Sequence, residues 1–278
     1  MRTIEAEAIA STVADMCIKA ATNVDCDTLR QIAAAKHLET SESALAILKQ
    51  IEENAAIAQR ENKPACQDCG TAVIFAEVGQ DVHIEGSFED AIHSGVANGY
   101  GDGYLRKSIC HYFTRANTGD NTPAIIHTRL VKGDKLKLTL LLKGGGAENV
   151  SALKMLVPAA GKEGVFAFVM DTVRKAGPNP CPPMVIGVGI GGNFETAPLM
   201  AKLALAEPAY AVNPDGELAE LEAELLTAIN NLNIGPGGFG GKTSALSVHI
   251  KAAPCHIASL PCAVNINCHS VRHESVIL

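Results

Sequence analysis

The run Lys63-Pro64-Ala65-Cys66-Gln67-Asp68-Cys69-Gly70-Thr71 sets a soft thiol, an amide and a carboxylate side by side. Pro64 enters and Gly70 leaves a turn ahead of an apolar, strand-like run from Thr71 to Val78, which holds a reactive group at the end of a rigid element. Cys66 and Cys69 form a C-x-x-C, which is half of a zinc site or a redox pair. No second C-x-x-C accompanies it, so a zinc reading needs Cys255, Cys262 or a histidine to complete it. Cys66, Cys181 and Cys268 each stand at a turn or strand end beside Pro, Gly or polar residues, a setting that suits a cluster gathered from several loops. Spacing alone leaves these readings open.

Two glycine-rich stretches invite nucleotide readings. Gly187-Val188-Gly189-Ile190-Gly191-Gly192 fits G-x-G-x-x-G between an expected strand and an expected helix, the setting of a dinucleotide fingerprint. Glu207, however, falls at a helix end rather than after a second strand, and the motif does not open a domain. These glycines are read instead as backbone passing close to the site that Cys181 enters. The stretch Gly235-Pro236-Gly237-Gly238-Phe239-Gly240-Gly241-Lys242-Thr243 resembles a P-loop, but Pro236 stands where the first glycine belongs and a strand-like segment follows. Its amides and Lys242 could receive a carboxylate or face another subunit.

The elements that must position these groups follow from periodicity. Residues 3–60 carry apolar positions at helical spacing, among them Ile9, Val13, Met16, Leu45, Leu48 and Ile51, with Asp25 or Asp27 and Ser41 as caps. Cys17 and Cys26 are expected to pack there as small hydrophobes. Ser87-Phe88-Glu89-Asp90 opens a helix that weakens at Gly99, Gly101 and Gly103 and delivers Arg106. Residues 124–130 and 135–142 read as strands paired across Lys132-Gly133-Asp134, the second running into a glycine loop over 143–149. A helix over 162–176 ends at Gly177-Pro178-Asn179-Pro180 and presents Cys181. A strand over 184–190, helices over 193–207 and 216–231, and strands over 245–250 and 263–266 complete a mixed α/β (α+β) fold. It is expected to be a single domain over 1–278, with an N-terminal helical region over about 1–62 and a mixed α/β body over about 63–278.

With 278 residues, 47% hydrophobic and 19% charged, the chain has the composition of an ordinary globular protein. A net charge of −7 and the lack of a dense Lys/Arg run give no reason to expect nucleic acid or an anionic membrane as partner. The N-terminus has acids early and no apolar core, so no signal peptide is expected, and no apolar run has membrane-spanning length. Nine cysteines, an odd number, then point to reduced thiols or metal ligands in the cytoplasm rather than a disulfide framework.

Cys66-Gln67-Asp68-Cys69-Gly70, Asn179-Pro180-Cys181-Pro182-Pro183, the two glycine stretches and Asn265-Ile266-Asn267-Cys268-His269-Ser270-Val271-Arg272 together resemble, in order and over nearly the whole chain, the alpha subunit of class I iron–sulfur fumarate hydratase. The alpha subunit of L-tartrate dehydratase shares that superfamily, though Gly146-Ala147-Glu148-Asn149 and the segment Gly189 to Glu195 look more like the fumarase branch. The resemblance implies sheets whose loops converge on a [4Fe-4S] cluster bound by Cys66, Cys181 and Cys268, one iron remaining open as a Lewis acid. It implies a substrate pocket lined by Gln67, Arg106 and Gly145, with Asp68 and His256 handling or orienting protons. It further implies reversible hydration of fumarate to L-malate, a small dicarboxylate substrate and, since the sequence stops soon after Cys268, a separate beta subunit in a hetero-oligomer. L-tartrate or a related hydroxy acid is the alternative substrate; a zinc- or dinucleotide-binding module is the rival from another class. Four positions depart from the family pattern: Cys69 for Thr, Gly237 for Gln, Cys255 for Thr and Glu207 for Arg.

Overall fold

The computed structural model describes residues 2–278 and has a mixed α/β architecture. The chain runs β1 (Arg2–Glu5), α1 (Ala6–Thr22), α2 (Cys26–Leu38), α3 (Glu42–Glu61), β2 (Thr71–Gly79), β3 (Val82–Glu85), α4 (Phe88–Asp102), β4 (Ile125–Val131) and β5 (Leu136–Lys143). It continues through α5 (Gly145–Glu148), β6 (Ala152–Leu156), α6 (Gly161–Ala176), β7 (Met184–Gly191), α7 (Thr196–Ala204), α8 (Gly216–Asn230), β8 (Ala245–Ala253), β9 (Leu260–Asn267) and β10 (His273–Ile277). The expected caps are in place: Asp25 accepts from the amides of Asp27 and Thr28 at 3.1 and 3.0 Å, and Ser41 Oγ accepts from Ala44 N at 3.4 Å. Cys17 is buried in α1 as expected, whereas Cys26, at the first residue of α2, is exposed.

The chain divides into two compact units. The first comprises Met1–Val24, Asn54–Gly145 and Arg272–Leu278. Its sheet has the order β10-β5-β2-β4, and Val13 and Cys17 of α1 with Ile92 and Val96 of α4 join Ile74, Leu138 and Leu140 in its core. Here the expected hairpin is corrected: β4 and β5 do not pair with each other. β2 lies between them, parallel to β4 and antiparallel to β5, because its run Ala72 to Ala76 is buried throughout and demands a central place, while β4 is mostly exposed and fits an edge. The residues read as a hairpin turn fold over the end of β2 instead, Gly79 N donating to Lys135 O at 2.9 Å and Asp81 N to Gly133 O at 2.9 Å. Gly99 also has a positive reason to be glycine: a Cβ would meet Ala14 O of α1 at 2.7 Å, so its absence lets α4 lie against α1.

The second unit comprises Asp25–Glu53 and Gly146–Val271, with a sheet in the order β6-β9-β7-β8. β7 runs parallel to β8 and antiparallel to β9. One face is covered by α6 and α8, where Val169, Val173, Leu225 and Ile229 meet Ile186, Val188 and Val264. On the other face, a Cβ at Gly187 or Gly189 would lie 2.0 Å from the carbonyl oxygen of Ala201 or Ala197. These two glycines therefore seat α7 on bare strand backbone, which replaces their reading as an approach to the Cys181 site.

Candidate active site

In the first unit the Cys66 turn is tied down from several sides. Ala65 N donates to Ala21 O at 2.9 Å and Ala65 O accepts from Asn54 Nδ2 at 2.8 Å, which anchor its entry to α1 and α3. Asp68 folds back on its own turn: Oδ1 accepts from Gly70 N at 3.0 Å, and Oδ2 accepts from Gly145 N, the first residue of α5, at 2.7 Å. Asp68 N in turn donates to Cys66 Sγ at 3.4 Å. Gly70 sits at φ +78° with its would-be Cβ 2.8 Å from the Lys143 backbone, so no other residue fits the exit from the turn.

A second shelf of residues carries Arg106 to the same place. The fully buried Tyr100 donates its hydroxyl to the carbonyls of Cys69 and Gly70 at 2.8 and 2.9 Å, and burial pushes that hydroxyl's pKa up strongly, so it stays a donor. Asn121 donates Nδ2 to Gly70 O at 3.2 Å and accepts from Ser108 N at 2.6 Å. Arg106 N donates to Cys69 Sγ at 3.2 Å while the Cys69 thiol points at Cys66 O, 3.7 Å away. Cys69 is 1% exposed and desolvation raises its pKa, so it is a thiol bridging the turn to Arg106. A threonine hydroxyl could make the same two bonds, which accounts for the departure at this position. The Arg106 residue itself is exposed, as is Gln67, whose Oε1 receives the Cys66 thiol at 3.4 Å.

Arg272 is the residue that sequence reasoning leaves out, although it closes the last of the motifs. It is 2% exposed, just ahead of β10, and its Nη1 donates to the Asp68 carbonyl while its Nε has no partner. A Cβ on Gly144 would lie 3.1 Å from Arg272 Nη2 and 3.2 Å from Asp68 Oδ2. The glycine stretch expected to be a loop thus becomes a one-turn helix, α5, whose approach leaves room for a carboxylate and a guanidinium. The signal available was its place, a cation closing the Asn265-to-Arg272 motif four residues after Cys268.

In the second unit Cys181 is exposed at φ +56°, between the end of α6 and the start of β7. Its carbonyl accepts from His269 N at 3.4 Å and contacts His269 Nδ1 at 3.0 Å, so the residue after Cys268 is fastened to Cys181. The P-loop-like stretch braces this turn: Gly237 N donates to Pro182 O at 2.9 Å, and Gly238 has no room for a Cβ beside Pro178. Glu39 holds the other side of that stretch, accepting from Lys242 N at 2.7 Å, and its pKa is lowered by the backbone amides of Ser41, Lys242 and Thr40, which outweigh a desolvation that would raise it. Cys268 follows β9, half-buried, its Sγ 3.7 Å from Ser270 O.

His256 is not brought to these two cysteines. It lies exposed in the connection from β8 to β9, whereas Cys181 precedes β7 and Cys268 follows β9 at the opposite end of the sheet. Val185 pairs with Asn267 and Ile190 with Cys262, so about 16 Å of strand separates the two ends at roughly 3.3 Å per residue. His256 Nδ1 accepts from Ala258 N at 3.1 Å, which leaves Nε2 to carry the proton when the ring is neutral.

The donor chemistry fits a thiolate-bound cluster. None of the nine cysteines is in a disulfide, and Cys66, Cys181 and Cys268 stand at turns with their residues exposed or half-buried. Cys17 and Cys262 differ, buried among apolar side chains that push each thiol up to about 12. Cys262 is thereby a poor completion for a zinc site at Cys66 and Cys69. Among the described residues no three His, Cys, Asp or Glu side chains gather as around a single metal ion, and no helix is long and apolar enough to cross a membrane.

Comparison with known proteins points to a hydro-lyase family. The chain is 38% identical over 271 residues to a protein of Methanocaldococcus jannaschii named putative L(+)-tartrate dehydratase subunit alpha, covering 95% of each chain. It is 30% identical over 270 residues to the L(+)-tartrate dehydratase subunit alpha of Escherichia coli K12, covering 96% of this chain and 89% of that one. A family model described as fumarate hydratase (Fumerase) matches residues 10–277. With both glycine stretches, all three turn cysteines and the Asp68 turn inside the matched span, the chain belongs to the fumarate hydratase family of hydro-lyases.

Proposed function

We propose that this chain is the cluster-bearing alpha subunit of an iron–sulfur hydro-lyase that interconverts fumarate and L-malate together with a beta subunit, the whole chain serving as one catalytic domain. The observation that carries this reading is the set of three accessible thiols, Cys66, Cys181 and Cys268, in a chain that matches the family from residue 10 to residue 277. These three would hold a [4Fe-4S] cluster. When bound, such a cluster offers an iron without a protein ligand, a Lewis acid for the hydroxyl that leaves or adds.

The chain's own groups do the rest. Asp68 is held by two amides, and its remaining lone pairs are available to take or orient a proton at the substrate. Arg106 presents an exposed guanidinium suited to a bidentate grip on a carboxylate, with Gln67 and the Gly145 backbone completing the binding wall. A proton role for His256 at the Cys181 and Cys268 end requires a second copy of the chain to present it. Mixing Asp68→Asn and His256→Ala chains should then restore turnover that neither has alone; no recovery removes His256 from the site.

The names of these relatives support a second reading, L(+)-tartrate as substrate, while the segments over 146–149 and 189–195 resemble the fumarase branch. Both names also specify an alpha subunit, which supports a beta partner. The deciding experiment is an anaerobic assay of the chain, alone and with its beta subunit, on fumarate, L-malate, L-tartrate and a methylated fumarate. Fumarate hydration at a kcat/KM at least tenfold above that for tartrate dehydration, and only with the beta subunit, is expected. The reverse ratio assigns the chain to tartrate, and full activity of the chain alone removes the partner.

A further inference from the structure

Between α4 and β4 the chain of the first unit folds into a finger whose tip has no part in the chemistry above. Cys110 and Asn117 pair as an antiparallel bridge, His111 N donates to Ala116 O at 2.8 Å, and Thr118 N donates to Ile109 O at 3.0 Å. At the tip, His111 Nδ1 accepts from the amides of Phe113 and Thr114 at 3.3 and 3.2 Å. At the base, Asn121 Oδ1 accepts from the amides of Ser108 and Ile109 at 2.6 and 3.2 Å. The finger is thus braced by its own hydrogen bonds although residues 111–119 are all exposed.

Two aromatic side chains ride on this tip, Tyr112 71% and Phe113 84% exposed. His111 stacks on Tyr112 with ring centroids 4.2 Å apart, and Phe113 meets Tyr112 edge-on at 4.7 Å. Single exposed apolar side chains are ordinary, but adjacent aromatic rings on a braced protrusion have the make-up of an interface anchor. The segment from Gly103 to Gly119 also carries Arg106, Lys107 and Arg115 and no acid, in a chain of net charge −7. A partner that fits therefore offers an apolar recess with carboxylates around it.

Nucleic acid fits less well. Three cations on an acidic chain hold a polyanion weakly, and Tyr112 and Phe113 pack on each other where a base would have to enter. A second copy meeting this one finger to finger would set like charges against like. The base of the finger decides, because Arg106, read above as the grip on a substrate carboxylate, leads straight into it. A protein seated on the finger stands beside Arg106 and can supply further groups to the substrate.

We propose that the finger over 107–118 is the docking point of the beta subunit, which receives Tyr112 and Phe113 in an apolar socket whose carboxylate rim meets Lys107 and Arg115. The proposal rests on the reading of a beta partner and adds where that partner sits.

The test is calorimetry and sedimentation of the anaerobically reconstituted chain with its beta subunit. The double variant Tyr112→Ser, Phe113→Ser is expected to bind about a hundredfold more weakly than the parent, and Lys107→Glu with Arg115→Glu about tenfold more weakly. Leu130→Ser, 68% exposed toward the other end of β4, should bind as the parent does. All these side chains lie on the surface, so thermal midpoints should hold; if the aromatic variant fails to fold, the charge variant decides. Saturating beta subunit should return the kcat of the aromatic variant to the parent's value, since its contacts dock and do not catalyse. Unchanged affinity in the folded variants, or a kcat that stays low at saturation, overturns the docking point and leaves the hydro-lyase reading standing. Self-association of the parent, or its binding to a single-stranded DNA, that is lost in the aromatic variant gives the finger another occupant and overturns it equally. If the parent itself does not bind the beta subunit, the reading of a beta partner falls and takes the docking point with it.

Discussion

Serine in place of Cys66, Cys181 or Cys268 is expected to empty the chain of iron and acid-labile sulfide after anaerobic reconstitution, while Cys69→Ser keeps about four of each, as the parent does. The difference lies in what each sulfur can become. A ligand must be a thiolate, and a serine hydroxyl at the same place holds its proton far more tightly. Cys66 is half-buried with an amide directed at its sulfur, and Cys181 is exposed, so neither sulfur is enclosed in an apolar core. Cys69 is buried, raised in pKa by desolvation and occupied in bridging to Arg106, so its loss should loosen the turn without removing a ligand. Hydro-lyase turnover should fall below detection in the three ligand variants and survive in Cys69→Ser. Zinc in place of iron, held by the parent and lost with Cys69, would instead make the C-x-x-C a structural zinc half-site.

Arg272→Met should cost about 3 kcal/mol of stability and, in the folded fraction, at least a hundredfold in kcat, with Arg272→Lys recovering part of both. The guanidinium is 2% exposed and donates to the Asp68 carbonyl, and Asp68 Oδ2 lies beside the same gap above Gly144. Methionine fills the volume but returns neither the donor nor the charge, so the carbonyl is left buried and unpaired and the Asp68 carboxylate loses a neighbouring cation. Urea unfolding reads the stability loss as a lower midpoint at unchanged slope. Steady-state kinetics then separate the two possible roles. If Arg272 only props up the fold, the surviving molecules turn over normally; if it positions Asp68, kcat falls while KM moves little.

Much of the candidate site was legible because it is local. Pro64, Asp68 and Gly70 write a turn whose internal hydrogen bonds, from Asp68 N to Cys66 Sγ and from Gly70 N to Asp68 Oδ1, span two residues, and Asp25 and Ser41 cap helices by a similarly short reach. The helices over the first sixty residues and the strand after Gly70 follow from periodicity alone. What pairing requires at long range was not legible. β2 and β5 are both largely buried and take the two inner places of the sheet, which leaves the exposed β4 at the edge, an order that adjacency in sequence hides. β1 and β3 are four-residue strands whose partners lie about eighty residues apart, and β10 meets β5 across a still longer span. The glycines of β7 read as backbone passing close to the Cys181 site because a bare strand admits a ligand and a helix alike; only the carbonyls of Ala197 and Ala201 show that a helix is there. Arg272 was passed over for a similar reason: its partner stands 204 residues upstream.

The placement of β10 in the first unit also bears on how the protein is made. Ribosomes emit the chain from its amino end, so β5 waits with an uncovered edge while everything from Gly146 to Val271 is synthesised. Arg272 arrives with β10, and until it does the carbonyl of Asp68 lacks its donor. A nascent chain therefore exposes a strand edge and an unfinished Cys66 turn for as long as the second unit takes to emerge, a window in which a chaperone has a strand to shield. The same order means that the first unit can be completed only after the second has been made.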